Sequence, residues 1–142
     1  MRKVDQIHII KHQRRMLLKS GNKVIRTYSI SLGKQPTGKK QFEGDEKTPE
    51  GDYIIYHKSE QSTFYKSMGI SYPGDAEKLN AENTGKSPGG QIRIHGFSND
   101  FEGDQDEGKK TDWTAGCIAV TNAEMDEIFE LVDIGTAIFI EP

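Results

Sequence analysis

Cys117 is the only cysteine in the chain, and it lies in the run Asp112-Trp113-Thr114-Ala115-Gly116-Cys117-Ile118. Twenty-two positions upstream, His95 closes the run Ile92-Arg93-Ile94-His95-Gly96. In thiol acyl transfer the thiolate is the nucleophile, and a nearby imidazole lowers the thiol pKa and carries protons. Gly116 contributes differently. Without a side chain it lets substrate approach the backbone, where successive N–H groups can face a developing oxyanion. Neither Cys117 nor His95 is diagnostic alone. Free Cys usually packs as a small hydrophobe, and a His at the end of an apolar run is usually structural. The rest of the chain decides between the readings.

Composition narrows the classes. A chain of 142 residues is expected to be one domain, 1–142, long enough for a real core. The apolar share is 33% and there are 15 glycines, a balance that suits many short strands and turns better than a helical bundle. The 19 basic and 22 acidic residues are intermixed, with a net charge of −3. No basic stripe stands out, so nucleic acid is not an expected partner. No apolar run approaches the roughly 18 residues of a membrane span, and residues 1–5 carry no signal-peptide pattern.

The elements that must hold Cys117 and His95 read mostly as strands. Residues 4–10, 14–19 and 23–32 carry β-branched and apolar residues in strand-like runs, with Ser20-Gly21-Asn22 as a hairpin turn. Residues 52–57 and 91–95 are further strands, and 136–140 is a closing one. Residues 62–68 are ambiguous, since Phe64, Tyr65 and Met68 could share a helical face. Residues 75–83 read as a polar helix. Thr121-Asn122-Ala123-Glu124 is a capping-box pattern ahead of a helix at 122–132.

Two long loops remain. Residues 33–51 lack phosphate-loop spacing and are either functional or disordered. Residues 97–112 are rich in acid, which reads as a solvated segment or as a lid over the site. Calcium is a weak reading there, because the carboxylates lack EF-hand spacing. His8 and His12 have no ligand partners at metal spacing and read as surface residues. No metal or organic cofactor is expected.

Four linked runs resemble the L,D-transpeptidase catalytic domain (the YkuD family): Ser31-Leu32-Gly33, Gly44-Asp45-x-Lys47-Thr48-Pro49-Glu50-Gly51-x-Tyr53, Ile94-His95-Gly96 and Thr114-x-Gly116-Cys117-Ile118. The wording from Asp112 to Asn122 resembles the YafK-like branch, and the 18 residues between His95 and Thr114 fit the family interval. The resemblance implies a mainly β fold, a sandwich of mixed sheets with a few flanking helices. It implies that Cys117 attacks the carbonyl joining the third residue of a peptidoglycan stem peptide to D-alanine. A thioester forms, and an amine acceptor resolves it into a 3–3 crosslink or a protein attachment.

The resemblance also assigns roles. His95 would be base and acid, with its ring oriented by the carbonyl of Gly96. The N–H groups of Ala115, Gly116 and Cys117 would form the oxyanion hole, and Trp113 and Thr114 would line the substrate site. A carboxypeptidase or amidase on the same peptides is the alternative, and a non-catalytic cell-wall-binding module is the alternative of another class. The substrate implies the cell envelope. Two positions depart from the common pattern: Ala115 stands where many members have His, and Ala119 where many have Arg. Arg93 is then a candidate to bind the substrate carboxylate.

Overall fold

The computed structural model describes residues 3–142. Alternation of apolar and polar residues builds its centre. In β1 (Gln6–Ile10) and β2 (Arg15–Ser20), Ile7 faces Leu18 and Ile9 faces Met16 across an antiparallel pair, all four fully buried. Each such side chain contributes about 1.5–3 kcal/mol by leaving water. The 20–22 turn joins β2 to β3 (Lys23–Ser29), with a bulge after Leu18. On its other side β1 pairs in parallel with β8 (Ala137–Glu141), setting Ile138 and Ile140 beside Ile7 and Ile9.

The second half continues from that edge. β4 (Gly51–Ser62) runs antiparallel to β8 and to β5 (Tyr65–Ile70), which pairs with β6 (Arg93–His95); β6 lies parallel to β7 (Ile118–Ala119). The strand order is β3-β2-β1-β8-β4-β5-β6-β7. This mixed sheet curls on itself. The segment leaving β3, at one edge, bridges through Ser31 to Ala119 and through Gly33 to Thr114, at the other edge. The fold is mainly β, as the sequence implied. Among the described residues three α-helices flank it, α1 (Asp75–Thr84), the single turn α2 (Gln105–Gly108) and α3 (Asn122–Leu131), and a 3-10 turn spans Lys11–Gln13.

The capping box at α3 is formed. Thr121 Oγ1 accepts from Glu124 N at 3.2 Å, and Glu124 Oε1 accepts from Thr121 N at 3.0 Å. Met125 and Ile128 bury the inner face. The ambiguous 62–68 segment is the end of β4, a tight turn with Tyr65 at φ +72°, and the start of β5. Pairing decides it, because Met68 sits opposite Ile94 between two strands and a helix would forfeit both ladders.

The 33–51 loop is ordered by buried charge. Lys11 Nζ donates to Gly38 O at 3.0 Å, Thr48 O at 2.7 Å and Glu50 Oε2 at 3.1 Å. Asp45 accepts from the N–H groups of Gln41, Phe42 and Lys47, and pairs with the buried Lys40 at 2.9 Å. These bonds outweigh the burial that opposes its charge, and they hold the Asp45 carboxyl below its usual range.

The acidic 97–112 segment is likewise tied down. Asp112 grips Arg14 through Nε and Nη2 and accepts from Leu32 N at 3.0 Å. Its charge run is therefore partly structural. His8 also departs from the surface reading. It is half-buried, with Lys19 Nζ 2.9 Å from Nδ1 and Glu141 Oε2 3.4 Å from Nε2. His12 is exposed as expected. No helix among the described residues is long and apolar enough to cross a membrane, and they hold no metal-binding cluster.

Candidate active site

The sulfur sits at the mouth of the shortest strand. β6 and β7 pair with Ile94 opposite Ile118 and His95 opposite Ala119. One step back in that register, Cys117 comes beside Arg93, whose N–H donates to Cys117 Sγ at 3.4 Å. Cys117 is thus two residues behind the partner of His95, an offset of about 7 Å along the strand. In this state the thiol does not bond the ring, and donates instead to Gln91 O at 3.3 Å.

The turn that presents the thiol is built by Thr114 and Gly116. Buried Thr114 donates its hydroxyl to Cys117 O at 2.7 Å and accepts from Gly116 N at 3.1 Å. Gly116 has φ +139°, and a Cβ there would stand 2.8 Å from Lys47 O in the 33–51 loop. Only glycine fits that approach. Thr114 commits its hydroxyl to the turn, donating to Cys117 O and accepting from Gly116 N. Gly116 N–H is already engaged, so it cannot serve an oxyanion without breaking its bond to Thr114. The N–H groups of Ala115 and Cys117 meet no acceptor among the described residues.

His95 is 4% exposed. Its Nδ1 is 2.7 Å from Gly96 O. A carbonyl can only accept, so Nδ1 carries the proton and Nε2 keeps its lone pair. Gly96 is required here because a Cβ would collide with Asn122 Oδ1, which accepts from Phe97 N at 2.9 Å. The ring stacks on Phe64, with centroids 4.4 Å apart, and tilts against Trp113 at 5.7 Å. Trp113 belongs to this aromatic wall with Phe97, and its Nε1 is buried without a partner.

Burial dominates both titrations. It pushes the Cys117 thiol up, against the opposing effects of the Arg93 N–H and the charges of Arg93 and Lys40. It also pushes the His95 imidazole down, against its bond to Gly96 and with help from Arg93. Both groups are therefore neutral near pH 7, and the resting pair is thiol and imidazole, not an ion pair.

The linkage has two limbs. On the acid side the unfolded imidazole, ordinarily near 6.5, takes a proton that folded His95 refuses, so stability falls below about pH 6.5. On the alkaline side the unfolded thiol releases, above about pH 8.5, a proton that folded Cys117 keeps, so stability falls again. Thermal midpoints measured from pH 5 to 10 are expected to show Cys117→Ala gaining on the wild type above about pH 8.5. Parallel curves would contradict the raised thiol.

The structure sets Gly116, Cys117 and Arg93 at the start of the parallel β6–β7 pair and His95 and Gly96 at its finish, two residues further on. Sequence reasoning missed Phe64, hidden in the ambiguous segment, and Gln91. The signal for Gln91 was the Pro88-Gly89-Gly90 turn that sets it just ahead of the strand.

Known proteins supply an independent measure. Residues 5–140 match the family model of the L,D-transpeptidase catalytic domain, YkuD. The chain is 29% identical over 142 residues to a protein of Escherichia coli (strain K12) named "Putative L,D-transpeptidase YafK", covering 96% of this chain and 50% of that one. It spans about half the length of the curated relatives it matches. The helical cell shape determining protein Pgp2 of Campylobacter jejuni superposes with a TM-score of 0.71 at 25% identity, over 99% of this chain and 48% of that one. An L,D-transpeptidase structure from Enterococcus faecium superposes with a TM-score of 0.63 at 19% identity, over 99% and 50%, a likeness of fold. With 136 of the 142 positions inside the family model (residues 5–140) and the curled sheet shared by these structures, the chain belongs to the L,D-transpeptidase catalytic domain family.

Proposed function

We propose that this protein is a cysteine acyltransferase acting on peptidoglycan stem peptides, an L,D-transpeptidase in the cell envelope. The observation that carries the reading is the β6–β7 register. It brings the partly exposed Cys117 beside Arg93, two residues ahead of His95, whose Nε2 keeps its lone pair.

The chemistry starts from the neutral pair. The thiol leaves Gln91 O and turns toward Nε2, which takes its proton as sulfur attacks the carbonyl of the third stem residue. Gly96 O stabilises the imidazolium through Nδ1–H. The free N–H groups of Ala115 and Cys117 face the developing oxyanion. Protonation of the leaving amine by His95 releases D-alanine and leaves a thioester. An amine acceptor, deprotonated by the same imidazole, resolves it into a 3–3 crosslink or a protein attachment. Water in place of the amine makes the enzyme a carboxypeptidase.

Incubation with a purified disaccharide-tetrapeptide tests this. A crosslinked dimer, or an adduct with an added amine, together with free D-alanine is the expected result. Free tripeptide regardless of acceptor would make it a hydrolase, and release of no D-alanine would overturn the reading.

A further inference from the structure

Gln91 carries two features that the proposed chemistry does not ask of it. Its φ is +58°, in the left-handed region where a residue with a Cβ is strained. It follows Gly89, at φ +81°, in a turn anchored by Tyr72, whose hydroxyl donates to Pro88 O at 2.7 Å. That geometry aims Gln91 O at Cys117 Sγ. The side chain of the same residue accepts, through Oε1, from Arg93 Nη2. One exposed residue therefore touches the sulfur with its backbone and a cation with its amide.

Arg93 differs from the other paired arginines. Arg14 is held by the carboxylate of Asp112 and Arg26 by that of Glu127, which offset their charge. Among the described residues the Arg93 guanidinium is held by a neutral amide. An amide fixes the fork without cancelling its charge, and a carboxylate would do both. The backbone of Arg93 is itself bonded to the sulfur. Its charge lowers both the Cys117 thiol and the His95 imidazole, opposing burial at the first and adding to it at the second.

We propose that Gln91 is a positioning residue that holds an uncompensated Arg93 guanidinium beside the Cys117 sulfur, so that the site selects acyl donors bearing a carboxylate next to the scissile carbonyl. The selectivity rests on Cys117 being the nucleophile; the placement does not. A donor carboxylate meets a guanidinium already oriented, and Gln91 O holds the thiol beside it until the donor arrives.

Two alkylating reagents read the placement directly. Iodoacetate carries a carboxylate and iodoacetamide does not, while both need the same thiolate. Their rate ratio therefore cancels changes in thiol pKa. In the wild type the iodoacetate-to-iodoacetamide ratio is expected to exceed that of free cysteine by roughly five- to tenfold, the worth of one partly exposed charge pair. Gln91→Glu, nearly isosteric, places a carboxylate on the guanidinium and should bring the ratio down to the free-cysteine value or below. Arg93→Gln should do the same. Gln91→Ala, which keeps the charge but frees the fork, should lower it severalfold.

A wild-type ratio equal to that of free cysteine would overturn the proposal, as would a wild-type ratio that persists in Gln91→Ala. The same variants are then given the disaccharide-tetrapeptide and its C-terminal amide. Loss of the wild-type preference for the free carboxylate in Gln91→Glu supports the selectivity, and its persistence refutes it. A raised alkylation ratio in a wild type that releases no D-alanine would count against the enzymatic reading and leave the placement standing.

Discussion

Cys117→Ala is expected to take up no carbapenem, where the wild type gains the mass of one molecule. A carbapenem offers a strained carbonyl to the attacking group, and the chain has one thiol to attack it. The substitution removes Sγ and its two bonds, to Gln91 O and from Arg93 N. Both backbone groups lie where the partly exposed sulfur reaches solvent, so water can replace the thiol and the fold should survive. Intact-mass spectra of wild type and variant, with circular dichroism as the control for folding, decide the matter. Label retained by a folded Cys117→Ala would remove Cys117 from the chemistry, whatever the family.

The second large effect is expected at His95. Replacing it by Gln keeps much of its volume between Phe64 and Trp113 but removes the basic Nε2. Positioned proton transfer contributes about 10²- to 10⁴-fold, and acylation at pH 7 should fall by that factor. The pH dependence carries the mechanism. Burial holds the His95 pKa below its ordinary value, so the neutral base is populated at pH 7 and the wild-type rate falls only as acid protonates it. Without the base, attack depends on thiolate alone. Burial has raised that thiol, so the variant's rate should climb about tenfold per pH unit through neutrality. The two profiles should approach one another at high pH. A constant gap across the range would mean that His95 acts structurally.

Much of this was legible from local pattern. Short apolar runs located β1, β2 and β8, and the hydroxyl-to-Glu spacing at Thr121 located α3 to within a residue. The linked runs around His95 and Cys117 pointed to the family. Long-range pairing was not legible. Nothing within residues 62–68 reveals that Met68 will lie against Ile94, so the hairpin stayed ambiguous and Phe64 went unseen beside His95. Hydrogen-bond partners were equally hidden. The Thr114 hydroxyl looked available to substrate until the turn closed on it, and Asp112 looked like one more solvated acid until Arg14 came across 98 positions to meet it. Whether a polar group is free or occupied depends on distant chain.

The bridges from Ser31 to Ala119 and from Gly33 to Thr114 close the curled sheet across more than 80 positions of sequence. Contacts of such separation form late, because loop closure precedes any gain from them. During refolding the thiol is therefore expected to stay accessible to reagents until that seam shuts. Trapping with a neutral alkylator at timed intervals would date that closure, so the reactive atom doubles as a clock for its own assembly.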